Sequence, residues 1–192
     1  MENVREKAWV NPYDECPVLE TESFELRLVE KSDAADLLVC YSDEKAWEIF
    51  NADYCTSDFR YTARKQMEEC IDFWLEAYAV KGFVRFSILD KKSEKAVGTA
   101  EMFGSLNIEK TEDYGVLRID IASGYETEGY LAELIKLADG EFYSLFKVDG
   151  IVTKAVPIAT GRTAALTKAG YKAYDAEPGR KDYYIKRRNN DE

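Results

Sequence analysis

The sequence predicts a single α/β domain, and three observations carry that expectation. Segments with apolar residues at every second position alternate with segments at helical spacing, and no repeat or low-complexity linker interrupts the order. A hydrophobic content of 46% over 192 residues supplies side chain for one contiguous core. The 13 tyrosines, 9 phenylalanines and 3 tryptophans argue against disorder, because disordered chains lack the large apolar groups that offset chain entropy.

Residues 1–18 contain Pro12 and Pro17 in a mixed composition and read as an extended arm laid on a domain of residues 19–192. Phe24 to Val29 sets Phe24, Leu26 and Leu28 against Glu25 and Arg27, the period of a half-buried strand. Ser32 offers a hydroxyl cap to a helix whose apolar face is Ala34, Leu37, Leu38 and Tyr41. The stretch from Asn51 to Phe59 breaks the period. Thr62 can then cap a second helix, with Met67, Cys70, Ile71, Trp74 and Tyr78 on its face and Gly82 at its end.

Phe83 to Asp90 and Lys95 to Phe103 are β-rich runs joined by a polar KKSEK, which predicts an antiparallel hairpin. Val116 to Ala122 alternates again and leads through SGYETEG into a long helix faced by Leu131, Leu134, Ile135, Ala138, Phe142 and Leu145. Gly140 weakens that helix by about 1 kcal/mol. Val148 to Val156 is a further strand, and Thr160 to Lys168 is a short helix ended by Gly170. The tyrosine-rich runs Tyr171 to Tyr174 and Tyr183 to Lys186 form a closing hairpin.

Composition excludes several functions. With 37 acidic against 26 basic residues the formal charge is -11, which repels a phosphate backbone, so nucleic acid is not an expected partner. The chain has no histidine, which removes the usual zinc ligand and the ordinary Ser-His-Asp and Cys-His mechanisms. Cys16, Cys40, Cys55 and Cys70 show no metal-ligand spacing and read as free structural thiols, so no metal is expected. No apolar run reaches the roughly 20 residues that span a bilayer, and the first residues lack the apolar stretch of a signal peptide, so no membrane partner and a cytoplasmic location are expected.

The order of elements resembles that of the GNAT superfamily of N-acetyltransferases, and local sequence agrees. Leu19 to Asp43 (LETESFELRLVEKSDAADLLVCYSD) is similar to the opening of the ribosomal-protein-alanine acetyltransferase-like branch. Ala96 to Ser105 (AVGTAEMFGS) resembles its central strand, and Thr160 to Tyr171 (TGRTAALTKAGY) its last helix. The resemblance implies a mixed, mostly antiparallel central sheet flanked by helices. It also implies transfer of an acetyl group from acetyl-CoA to an amine, either a small molecule or a protein N-terminus. The thioester would lie beside a splayed pair of strands. A GNAT-like module that binds a partner without CoA is the alternative.

The pyrophosphate of such a cofactor needs free backbone amides, which the helix start after Ala122 would supply. The resemblance places Ile119, Ile121, Ala122, Glu128, Gly129, Tyr130 and Leu131 along the cofactor, with Arg162 near a phosphate or on a solvated face. A backbone amide near Ile121 would polarise the thioester carbonyl. The turn departs from the family pattern. Glu126 stands where a neutral or cationic residue is usual, and Leu131 where a small one is. A unit charge at about 6 Å costs roughly 3 kcal/mol at an effective dielectric of about 20, so weakened CoA binding is expected. Glu126 and Glu128 equally suit a helix start for its macrodipole, and Gly129 equally suits an ordinary turn.

An ammonium ion is not a nucleophile, so a carboxylate or a water held by one must take its proton. Glu101 is the candidate, with a surface glutamate at the sheet edge as the plain reading. The tyrosine that protonates the leaving thiolate in some members is replaced by Leu166. Asn51, Asp53 and Tyr54 lie where resembling enzymes bind acceptors, and their plain reading is turn chemistry.

Overall fold

The computed structural model describes residues 9–53, 55, 59–106, 113–175 and 181–188. The strands are β1 (Leu19–Glu20), β2 (Phe24–Leu28), β3 (Phe83–Asp90), β4 (Lys95–Leu106), β5 (Tyr114–Ile121), β6 (Gly150–Lys154), β7 (Lys172–Tyr174) and β8 (Tyr183–Arg187). The α-helices are α1 (Ala34–Tyr41), α2 (Glu44–Trp47), α3 (Arg64–Ala79), α4 (Glu128–Phe146) and α5 (Thr160–Lys168). The strands form one sheet in the order β1-β2-β3-β4-β5-β6-β8-β7. Every pairing is antiparallel except β5 with β6, which α4 connects as a crossover.

Period-2 alternation sends two sets of side chains to opposite faces. Phe24, Leu26, Val84, Phe86, Ile88, Ala100, Met102, Leu117, Ile119 and Ile121 meet α4 and α5 in the larger core. The other face lies under α1 and α3, whose Leu37, Tyr41, Met67, Ile71 and Trp74 form a second core. All eight residues of β5 are buried, because helices cover both of its faces.

The expected elements are present, with corrections at their ends. Ser32 does not cap α1. It sits in a short 3₁₀ turn, Lys31–Asp33, where the Asp33 carboxylate accepts the Glu30 N–H at 2.9 Å. Thr62 does not cap α3 either, since Gln66 reaches back and its Oε1 accepts the N–H groups of Thr62 and Ala63 at 2.9 and 3.0 Å. The closing hairpin is present, but β8 inserts between β6 and β7. α4 runs unbroken through Gly140, because packing of its buried face outweighs one poor helix former. No helix among the described residues is long and apolar enough to cross a membrane.

Candidate active site

The pairing of β5 with β6 runs only from Tyr114 opposite Gly150 to Leu117 opposite Thr153, whereas its pairing with β4 continues to Ile121. From Arg118 onward the β6-facing edge of β5 is unpaired, and the two strands part. Ile119 and Ile121 turn their side chains into the core, so they offer the gap only their backbone.

β5 leads through Ala122 and a 3₁₀ turn, Ser123–Tyr125, to the start of α4. Asp43 holds this turn by accepting the Ser123 N–H at 2.8 Å, and Thr127 caps the helix by accepting the Tyr130 N–H at 3.4 Å. No described group accepts from the N–H of Glu128 or Gly129, as expected in a first helical turn. A Cβ on Gly129 would meet nothing within 4 Å, so the approach is open. Glu128 is exposed and 3.4 Å from Lys168, whereas Tyr130 packs on Phe24 and Tyr125.

Neither side chain expected to weaken a phosphate site stands in it. Leu131 is fully buried in the core. The Glu126 carboxylate accepts from Nε and Nη2 of Arg162 at 2.7 and 2.8 Å, with 4% of the arginine and 6% of the glutamate side chain exposed. Arg162 is therefore not on a solvated face, and the negative charge is neutralised by a fork-to-fork pair. The starts of α4 and α5 meet here. A Cβ on Gly161 would lie 3.0 Å from the Glu126 carbonyl oxygen and 3.1 Å from the Glu128 nitrogen, so any larger residue would have to push the two helix starts slightly apart.

On the α1/α3 face, Arg85, Glu101 and Arg118 are direct cross-strand partners on β3, β4 and β5. Glu101 is 2% exposed, which overturns the surface-edge reading. One of its oxygens accepts from Arg85 Nη2, and the other from Arg118 Nη1 at 3.1 Å. Arg85 also reaches Asp120 at 3.3 Å, and the Tyr41 hydroxyl donates to the same carboxylate at 3.2 Å. This row forms the floor of a cavity of about 320 Å³ lined by Cys55, Phe59, Tyr61, Phe73, Trp74 and Phe103, among others. Desolvation pushes the thiol of Cys70, also in the wall, up to about 11, so it is protonated at neutral pH.

Asp53 is already engaged by protein. Its carboxylate accepts from Lys154 Nζ at 2.9 Å and from the Tyr183 hydroxyl at 2.9 Å, and its carbonyl accepts from Arg118 Nη2. Asn51 is buried, and its Oδ1 accepts the Asp53 N–H at 3.1 Å, an Asx turn. Tyr54 lies outside the described residues. Arg85, Arg118 and Asp120 were not singled out as site residues in the sequence, and Tyr41 was read only as part of an apolar helix face. The available signal was opposite charge at alternate strand positions, which by itself reads as a solvated face. Among the described residues, no group of three or more acidic or sulfur side chains is placed to hold a metal.

Residues 23–172 match the sequence model of the acetyltransferase (GNAT) domain. No curated protein sequence matches the chain. Among solved structures, a GNAT-family acetyltransferase from Bacillus anthracis superposes with a TM-score of 0.66 at 14% identity, over 90% of this chain and 99% of its own. A ribosomal-protein-S5-alanine acetyltransferase from Vibrio fischeri gives 0.67 at 14% identity, over 91% and 98%. The ribosomal L7/L12 α-N-protein acetyltransferase RimL, in complex with coenzyme A, gives 0.67 at 12% identity, over 89% and 98%. At these identities the structures establish the shared fold.

Proposed function

The chain belongs to the GNAT acetyltransferase family, and on that premise we propose that it transfers the acetyl group of acetyl-CoA directly to an amine. The observation that carries this is the parting of β5 from β6 beside a helix start whose Glu128 and Gly129 amides are free: a strand edge for the acyl group and donors for the pyrophosphate. The ground for expecting a module without CoA was a charged, bulky turn, and the burial of Leu131 and the Glu126–Arg162 pair remove it.

Acetyl-CoA supplies a thioester whose carbonyl carbon the neutral amine attacks. The new C–N bond forms as the C–S bond breaks, the sulfur leaves with its electron pair and takes up a proton, and the amine loses one. Backbone N–H groups of Glu128 and Gly129 hold the anionic end, with Arg162 fixing the turn through Glu126. Glu101 takes the ammonium proton through a water, supported by its place on the cavity floor beside Arg118, the first residue past the split.

Glu101→Gln should lower kcat/KM for an amine about 100-fold, while acetyl-CoA still raises the melting temperature. The substitution leaves two guanidinium groups short of a partner, so the rate is read only on protein shown to be folded. An unchanged kcat/KM in folded Glu101→Gln rejects the role.

A further inference from the structure

The cavity on the α1/α3 face has a chemistry that selects among amines. Six aromatic residues wall it: Phe59, Tyr61, Phe73, Trp74, Phe83 and Phe103. Its volume of about 320 Å³ is at the small end of ligand pockets, which run from roughly 300 to 1,000 Å³. The charges beneath it balance internally, because Arg85 and Arg118 meet Glu101 and Asp120. The guanidinium faces are also occupied, Arg85 lying 4.4 Å from the centre of the Trp74 ring and Arg118 5.4 Å from that of Phe103. Among the described residues, no surplus charge is left there to recognise a second ionic group on a ligand, and the walls reward apolar surface.

Phe73 strengthens the case. It is 60% exposed on α3, its ring lies tilted toward that of Phe83 with centroids 6.3 Å apart, and it lines the cavity where an entering ligand would cover it. Glu101 on the floor is the direct β4 partner of Arg118, the first residue of β5 past its pairing with β6, so a body held between the aromatic walls would bring its nitrogen to Glu101, one strand from the gap.

We propose that the acceptor is an amine carrying an uncharged aromatic group on a short chain, with the ring in this cavity. The inference rests on the acetyl-transfer reading above. Two sources share the chemistry, a free arylalkylamine and a polypeptide whose first residue is aromatic. With saturating acetyl-CoA, CoA release is measured for phenethylamine, for a peptide beginning with Phe, and for ethanolamine and a peptide beginning with Asp as polar controls. At least one aromatic acceptor should exceed its control in kcat/KM by about tenfold or more, and the better of the two identifies the source.

Phe73→Ala, at an exposed position that folding tolerates, should lower that preference about threefold or more without changing the thermal shift given by acetyl-CoA. In a Trp9→Phe/Trp47→Phe background, where Trp74 is the sole tryptophan, the better aromatic acceptor should change its fluorescence without acetyl-CoA present. CoA release with polar amines at equal or higher efficiency, or a silent Trp74, overturns this proposal alone. CoA release with no amine at all, despite stabilisation by acetyl-CoA, overturns the transfer reading with it.

Discussion

Asp33 fastens the first helix to the sheet through both of its carboxylate oxygens. Arg27 donates to them at 3.0 and 2.7 Å, Ser87 at 2.7 Å and the Glu30 N–H at 2.9 Å, with the side chain nearly buried. Burial pushes this carboxyl up, but the hydrogen bonds from Arg27, Ser87 and Glu30 outweigh it and hold it below the ordinary carboxylate value. The unfolded chain therefore binds the proton more readily, so the stabilisation is complete at neutral pH and is lost as the pH falls below about 4. Asp33→Asn should destabilise the protein by about 2 kcal/mol at pH 7, and by less at about pH 3, in urea unfolding. An equal penalty at both pH values would reject this account. In the sequence Asp33 looks like one more acidic residue at a helix start, since Arg27 and Ser87 become its neighbours only when β2 and β3 pair.

The starts of α4 and α5 act as one element through Glu126 and Arg162. Both helices were legible in the sequence, but their contact joins residues 36 positions apart and has no local signature. Opposite charges distant in sequence read as two solvated groups until packing excludes the water around them. Arg162→Met would leave a buried carboxylate unpaired and should cost about 3–5 kcal/mol, with a several-fold weaker affinity for acetyl-CoA by calorimetry. The reversed pair, Glu126→Arg with Arg162→Glu, should recover a substantial part of the stability. If the single and double variants are equally destabilised, the helices are held by packing alone and the pair has no positioning role. The same blindness applied to β3, β4 and β5. Arg85, Glu101, Arg118 and Asp120 alternate with apolar residues as on a half-solvated sheet, yet α1 and α3 close over them.

At the scale of the molecule, the acetyl-CoA site proposed at the split sheet and the helix start would tie residues from β5 to α5 together. Acetyl-CoA at about a hundred times its dissociation constant should add roughly 2.7 kcal/mol of stability, a rise of about 5–10 °C in melting temperature for a chain of this size. No shift at millimolar acetyl-CoA would remove the premise of a competent cofactor site. The sequence by itself determined the main elements, their order and the family likeness, because period and turn residues are written within stretches of a dozen residues or so. It also drew attention to Glu101 and to the turn after β5, through the family likeness of the segments that hold them. Only the tertiary structure decided what those residues face. Whether Glu126 meets a phosphate or an arginine, whether Leu131 crowds a turn or fills a core, and whether a polar row is solvated or enclosed depend on which elements pack together. Free energies of charges and apolar groups are set by that surrounding medium and not by neighbours along the chain.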